Sequence, residues 1–149
     1  MAVSIRKDGN VISRQRIVFC YFSPKEIDYT PVDIGCIVAL LEQKFPGKYA
    51  CEILQLDYRL DTYARIDALR EHDVNRSVDL IGYHRPTAVF IFCESILWSK
   101  VNAFWRASSI AEELKRRQPD LFVGLQSYRA QKPQIDEVFA KGSVDCVVM

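Results

Sequence analysis

The histidines and cysteines of this sequence, residue types that often carry out catalysis or hold metals, form no recognisable motif. The two histidines, His72 and His84, belong to no metal-ligand or catalytic motif. No C-x-x-C pair occurs among the five cysteines, which are Cys20, Cys36, Cys51, Cys93 and Cys146. Because four of the five sit within apolar runs, we predict reduced, buried thiols that form neither a disulfide nor a metal cluster.

The familiar catalytic and nucleotide-binding motifs are absent from the sequence. It contains no G-x-x-x-x-G-K-[ST] phosphate loop, no G-x-G-x-x-G dinucleotide fingerprint and no G-x-S-x-G nucleophile elbow. A receiver domain that accepts a phosphoryl group would need an aspartate after the third strand, where this chain has Glu94 and Ser95. No catalytic residue is therefore predicted, and whether the chain belongs to an enzyme stays open.

Composition and charge are those of an ordinary globular protein. The 149 residues are 49% hydrophobic and 26% charged, with a net charge of +1. This length suits one domain, which we expect over residues 16–149, after a loose tail or short edge hairpin in residues 1–15. The near-neutral charge argues against a nucleic-acid partner, and the lack of a long apolar run argues against a membrane span. A cytoplasmic protein is therefore expected.

The elements that must position any site are arranged around one apolar segment, residues 88–93. Its six apolar residues stand between Pro86 and Glu94. A short run without polar alternation, rich in β-branched and aromatic side chains, predicts a strand covered on both faces rather than part of a buried helix. Such strands lie in the middle of parallel sheets with helices on either side.

Four more apolar segments alternate with four helical patterns. Strands are predicted over residues 16–22, 49–56, 121–125 and 144–149, and helices over residues 30–45, 61–83, 97–118 and 134–141. Thr30 is the expected N-cap of the first helix, with Pro31 at its first position, and a change of apolar phase near Asp73 predicts a break or kink in the second. This alternation predicts an α/β three-layer sandwich, flavodoxin-like (Rossmann-like), with a parallel sheet of order 2-1-3-4-5 and its second strand at an edge.

Sheets of this type bind ligands beyond the carboxyl ends of their strands, beside strands one and three. In this chain that rim comprises residues 23–33, 94–98 and 124–133. It is rich in Ser, Tyr, Gln and Pro, with few strong acids or bases and no histidine. His72 and His84 precede the third strand, so both are predicted near the opposite edge, about 17 Å from the rim.

The rim segments resemble those of a known family. Three places carry the likeness. They are the helix that begins Thr30-Pro31, the S-x-L of Ser95 and Leu97 after the third strand, and Gly124, which is followed by a polar loop, a proline and a short helix. Together with the final V-D-C-V-V segment, they are similar to the cobalamin-binding domain at the amino end of many B12-dependent radical S-adenosylmethionine enzymes. The likeness covers residues 16–149.

The resemblance implies a cobalamin (B12) site at the rim. Ser95 would hydrogen-bond the nucleotide tail, Leu97 would pack against it, and Gly124 would let the backbone approach it. The loop after the first strand would cover the lower corrin face, and the missing D-x-H-x-x-G motif leaves the cobalt without a histidine ligand. The implied cofactor-binding residues are Ser23, Pro24, Tyr29, Thr30, Ser95, Ile96, Leu97, Trp98, Gly124, Leu125, Gln126 and Ser127.

The partner implied by the resemblance is a radical S-adenosylmethionine catalytic domain or a separate catalytic protein. The sequence itself has no C-x-x-x-C-x-x-C cluster motif, and Leu125 replaces the family's second glycine. The alternative hypothesis is a non-catalytic protein-interaction or regulatory domain that kept the fold and lost the cofactor. Its partner anchors would be the aromatic side chains on or near the rim, Tyr29, Trp98, Trp105 and Tyr128. A third hypothesis, a small stand-alone enzyme, has no acid–base pair at the rim to support it.

Overall fold

Five parallel strands form the main sheet of the protein. The structure, a computed structural model, describes residues 4–5, 11–12, 14–23, 31–57, 66–93, 103–128 and 130–149. Two strands of two residues each, β1 (Ser4–Ile5) and β2 (Val11–Ile12), pair antiparallel in a separate small sheet. The main sheet consists of β3 (Gln15–Ser23), β4 (Tyr49–Asp57), β5 (Ala88–Phe92), β6 (Phe122–Gln126) and β7 (Cys146–Val148).

The order of the main sheet confirms the flavodoxin-like prediction. The strands lie side by side as β4-β3-β5-β6-β7, which is 2-1-3-4-5 when the strands of this sheet alone are counted. Every neighbouring pair is parallel. The predicted central strand, β5, lies between β3 and β6, and β4 lies at an edge, as its partly alternating sequence predicted.

Four described helices connect the strands of the main sheet: α1 (Val32–Lys44), α2 (Ile66–Tyr83), α3 (Ala103–Arg117) and α4 (Lys132–Ala140). None of them is both long and apolar enough to cross a membrane. Pro31 is the N-cap of α1 rather than its first helical residue, because its ψ of 123° is extended. The predicted cap, Thr30, lies outside the described residues. Of the predicted break or kink near Asp73, the break is wrong, since α2 is continuous through this residue, and the kink stays a prediction.

Two apolar cores lie on the two faces of the sheet because successive strand residues point to opposite faces. The larger core lies beneath α2, α3 and α4 and includes Ile81, Phe104 and Val138 with the buried strand residues Val89 and Ile91. The smaller core lies beneath α1, where Ile34, Val38 and Leu41 meet alternate residues of β3 and β4. Among the described helices, three therefore cover one face of the sheet and one covers the other.

The uneven cover corrects one sequence prediction. Strand β5 was expected to be covered on both faces, yet only Val89 and Ile91 are fully buried. Ala88, Phe90 and Phe92, which alternate with them, face the α1 side and stay partly exposed. The apolar run arises because aromatic side chains occupy the less covered face. The sequence of one strand does not distinguish this arrangement from burial on both faces.

All five cysteines are free thiols in the structure. Cys20 and Cys93 are buried, Cys51 and Cys146 are half-buried, and Cys36 lies on the exposed side of α1, so the expectation of burial is wrong for Cys36. Burial raises the pKa of the Cys20 thiol, and burial together with a nearby carboxylate raises the pKa of Cys51 and Cys146. These three thiols therefore stay protonated at neutral pH, a poor state for metal binding.

One carboxylate joins the starts of β6 and β7 to α3. Asp145 Oδ2 accepts a hydrogen bond of 2.7 Å from the Val123 amide, and the Asp145 amide donates to the Val123 carbonyl at 2.8 Å. The Lys115 ammonium of α3 lies 2.8 Å from the same carboxylate oxygen. Burial alone would raise the pKa of Asp145, but the bonds from Lys115 and Val123 outweigh it and hold the pKa below its ordinary value.

Asp145 should therefore make stability depend on pH in the acid range. A carboxyl whose pKa is lower in the folded than in the unfolded chain stabilises fully above the unfolded value of about 3.9. Its contribution is lost as the pH falls through the lower folded value. We expect the gap in unfolding free energy between wild type and Asp145→Asn to be constant from pH 7 to 5 and to shrink below about pH 4. Urea unfolding at each pH measures it, and Lys115→Met should remove much of the same pH-dependent part; a gap that widens in acid would contradict this account.

Candidate functional site

The predicted rim corresponds to the carboxyl edge of the sheet, where β3 to β7 end. Of the twelve predicted site residues, five belong to described segments: Ser23, Gly124, Leu125, Gln126 and Ser127. The other predicted residues lie outside the described residues, namely Pro24, Tyr29, Thr30, Ser95, Ile96, Leu97 and Trp98. Their roles stay predictions that the structure does not address.

Backbone hydrogen bonds organise the described part of the carboxyl edge. The Cys93 amide donates to the Gln126 carbonyl at 2.9 Å, and the Ser127 amide donates to the Val148 carbonyl at 2.9 Å. These bonds continue the pairing of β5, β6 and β7 by one residue. Gln126 and Ser127 are buried, whereas Tyr128 is exposed. Gln126 and Ser127 are uncharged, but two carboxylates lie elsewhere at this edge, on Asp57 at the end of β4 and on Asp33 in the first turn of α1.

Gly124 and Leu125 lie inside β6 rather than in a loop beyond it. A Cβ atom on Gly124 would stand 2.7 Å from Phe90 Cδ1 and 2.9 Å from Cys146 Sγ. The space beside this glycine is thus filled by the neighbouring strands β5 and β7, which gives the glycine a packing role. Leu125 points to the opposite face and is fully buried in the larger core.

An ion pair near the carboxyl edge was not anticipated from the sequence. Arg106 Nη2 of α3 lies 3.1 Å from Asp73 Oδ2 of α2, and the Arg106 guanidinium lies 5.8 Å from the centre of the Phe22 ring. Asp73 follows His72, so His72 lies in the first half of α2. The prediction that His72 lies near the amino edge is wrong. Helix α2 runs from the carboxyl edge to the amino edge over 18 residues, about 27 Å, and His72 lies in the half nearer the carboxyl edge.

His84 does lie at the amino edge, as predicted. It follows α2, its carbonyl accepts a 2.9 Å hydrogen bond from Arg16 Nη1, and its ring pairs with the Glu52 carboxylate of β4. Arg85 then turns the chain towards β5 with a φ of 48°. These contacts assign His84 to the join between α2 and the sheet, away from the carboxyl edge.

A groove lies on the α1 side of the sheet. Its volume is about 590 Å³, and we call it the α1–β7 groove because α1 forms one wall and β7 the other. Ile37 and Leu41 line the helix wall, Phe90 and Phe122 line the floor, and Val148 lines the far wall. Phe122 is 40% exposed and Val148 is 51% exposed, so the groove is an open apolar surface.

The two ends of the α1–β7 groove differ in charge. Asp33, in the first turn of α1, lines the end nearest the carboxyl edge. At the amino edge, the Lys48 ammonium lies 5.3 Å from the centre of the ring of Tyr49, which itself lines the groove. Of the four aromatic side chains predicted as partner anchors, Tyr128 lines this groove and Trp105 is exposed on α3. Trp98 and Tyr29 lie outside the described residues.

Among the described residues, no group of three or more His, Cys, Asp or Glu side chains is placed to hold a metal ion.

Sequence reasoning missed the groove because it assumed helices over both faces of the central strand. A signal was present in the phenylalanines at alternate positions, Phe90 and Phe92, but recognising an uncovered face required the packing of α1.

Comparison with known proteins supports the fold. The sequence matches no protein-family model and no curated protein. The isolated REC domain of RcsB from Salmonella enterica serovar Typhimurium, determined with phosphomimetic BeF3-, has a TM-score of 0.53 at 10% identity. The alignment covers 92% of this chain and 78% of that one. A response regulator protein from Burkholderia pseudomallei with a phosphorylated aspartic acid, calcium ion and citrate has a TM-score of 0.51 at 14% identity, over 88% of this chain and 58% of that one.

The chain thus matches somewhat more than half the length of the second response regulator. At identities of 10% and 14%, these likenesses show that the fold is shared with response-regulator receiver domains, and they show the fold alone. They do not point to the cobalamin-binding family that the sequence resembles, while the flavodoxin-like architecture predicted with that resemblance is confirmed.

Proposed function

We propose that this chain is a non-catalytic regulatory domain that acts by binding another protein. The observation that carries the proposal is the α1–β7 groove, an apolar surface of about 590 Å³ on a sheet face that α1 alone covers among the described helices. Exposed apolar surfaces of this kind mark sites of association, since leaving them in water is unfavourable. The floor of the groove includes the apolar side chains of Phe90 and Phe122, so binding there requires no chemistry at the strand ends.

The names of the structural neighbours favour a regulatory role for this chain, whereas its sequence argues against phosphorylation of an aspartate after β5. One is named as a REC domain and the other as a response regulator with a phosphorylated aspartic acid. This sequence has no aspartate between Asp79 and Asp120, a stretch that includes β5 and the residues after it. The proposed domain therefore responds to a protein contact rather than to phosphorylation of an aspartate after β5.

The cobalamin hypothesis receives no specific support from the described residues. Gly124, assigned to a nucleotide tail by the resemblance, has its space filled by Phe90 and Cys146. Titration with hydroxocobalamin separates the two functions: the interaction domain should leave the corrin absorbance spectrum unchanged. A saturable spectral shift that Ser95→Phe weakens would favour the cofactor function and contradict this proposal.

The interaction itself can be tested by photo-crosslinking in cells. A benzophenone amino acid at position 122 places the reactive group on the floor of the groove, and the same amino acid at position 80 serves as the control. Phe122 and Leu80 are similarly exposed, at 40% and 42%, but Leu80 lies on α2 on the opposite face. We expect one dominant protein adduct from position 122 and not from position 80. Equal labelling from both positions, or none from either, would overturn the proposed function.

A further inference from the structure

The described helices leave the last three strands without cover on one face of the sheet. On the α1 side, α1 packs over β3 and β4, whereas Phe90, Phe122 and Val148 of β5, β6 and β7 stay partly exposed. The centre of this face is aromatic, since Phe90 lies between Phe19 and Phe122 with ring centroids 5.7 Å and 5.8 Å away, and polar residues such as Gln126 and Thr87 line its ends. A continuous aromatic floor beside a helix is a surface suited to a second helix packed next to α1.

We propose that the α1–β7 groove binds an amphipathic α-helix of a partner protein. Three parallel strands about 4.8 Å apart span about 10 Å between the outer two, which matches the diameter of one α-helix with its side chains. Strands of five residues are about 17 Å long, a distance that a helix of about 11 residues covers. The proposal rests on the proposed function and adds to it the partner's secondary structure, its length and its direction.

Charge complementarity sets the direction of the bound helix. Asp33 lines the groove at the carboxyl edge, and at the amino edge the Lys48 ammonium lies 5.3 Å from the centre of the ring of Tyr49, a lining residue. The partial positive charge at the N-terminus of a helix is stabilised by an anion, and the partial negative charge at its C-terminus by a cation. The partner helix therefore lies with its N-terminus beside Asp33 and its C-terminus towards Lys48, antiparallel to the strands and alongside α1.

The apolar surface of α1 extends the binding site beyond the sheet. Ile37 lines the groove from α1, and Leu40 is exposed on the same helix. A helix seated over β6 contacts Ile37 on one side and Val148 on the other. Its own apolar residues must recur at three- and four-residue spacing to face this floor, with polar residues outward.

A designed peptide serves as the probe for this inference. It has 14 residues with blocked ends, composed of Leu, Ala, Lys and Glu, and its leucines recur at three- and four-residue spacing. The control peptide has the same composition in scrambled order. Fluorescence anisotropy with the full chain should show saturable binding of the amphipathic peptide, at least tenfold tighter than that of the scrambled one. Equal binding of the two peptides, or binding of neither, would overturn the inference.

Matched variants locate the bound peptide. Phe122→Asp places a charge on the groove floor and should weaken binding at least tenfold, whereas Leu80→Asp on the opposite face should leave it unchanged. A spin label at the N-terminus of the peptide should broaden amide signals near Val32 and Asp33, and a label at its C-terminus should broaden those near Lys48 and Tyr49. The reverse pattern would overturn the proposed direction.

The outcomes distinguish this inference from the proposed function. If position 122 crosslinks to a protein but no amphipathic helix binds, the inference is wrong and the regulatory function stands. If crosslinks and peptide binding are both missing, both proposals are wrong. Light scattering over a range of protein concentrations tests whether a second copy of this chain occupies the groove. Dimerisation that Phe122→Asp abolishes would identify the second copy as the occupant and overturn the partner helix.

Discussion

Replacing Phe104 by alanine should lower the free energy of unfolding by about 3–5 kcal/mol, the usual cost of removing a buried phenylalanine. Phe104 lies in the first turn of α3, is 2% exposed and belongs to the core that α2, α3 and α4 form on the sheet. Because the surrounding helices and strands hold their positions, the removed ring leaves a cavity in addition to the lost burial. Chemical denaturation of the purified variant measures the loss.

Trp105 is the matched control for this prediction. It is the next residue of the same helix, is 42% exposed, and its ring meets Phe104 edge-on with centroids 5.8 Å apart. Trp105→Ala should cost about 1 kcal/mol, which covers the ring contact and a partial loss of burial. If the two variants lose equal stability, α3 packs on the sheet with a different face from the one that buries Phe104, and the assignment of Trp105 as an exposed aromatic is wrong.

Gly124→Ala should destabilise the fold by about 1–3 kcal/mol through overpacking. The new methyl group would stand 2.7 Å from Phe90 and 2.9 Å from Cys146, closer than van der Waals contact allows. The Phe90 ring has limited room to move because Phe19 and Phe122 stand beside it. Thermal or urea unfolding measures the change.

A smaller side chain at position 90 should relieve the crowding at Gly124. In a Phe90→Ala background, the additional cost of Gly124→Ala should fall, leaving only the contact with Cys146 Sγ at 2.9 Å, so a double-mutant cycle should show coupling between positions 90 and 124. Gly35→Ala in α1 is the control, since its Cβ would have no atom within 4 Å, and it should stabilise the helix by about 0.5–1 kcal/mol. If Gly124→Ala is harmless to stability but abolishes cobalamin binding, the glycine serves the cofactor as the resemblance implied.

The strand order and the two-faced architecture could be predicted because local patterns carry them. Short apolar runs separated by helical repeats predict alternating strands and helices, and right-handed crossovers leave few arrangements for five parallel strands. The edge position of β4 follows in the same way from its partly alternating sequence. Helix ends were predicted less exactly, as at Pro31, because the backbone angle of a single residue decides whether that residue caps a helix or begins it.

The candidate site could be predicted only in part. The carboxyl edge follows from the topology, and Gln126 and Ser127 do lie there. The ion pair of Asp73 and Arg106 joins residues on two helices, and no sequence spacing signals such a contact. The role of Gly124 was likewise hidden, because the atoms that fill its space belong to Phe90 and Cys146 on the neighbouring strands.

The amino-acid sequence by itself determined the class of fold and the central strand, since each depends on residues close together in the chain. The tertiary structure alone decided that one face of β5 stays partly open, and that Phe122 and Val148 form a groove with Ile37. Exposure depends on which helices lie over a face, and that is a property of packing between distant segments. The presence of a phenylalanine in a strand does not indicate whether a helix or water covers its side chain.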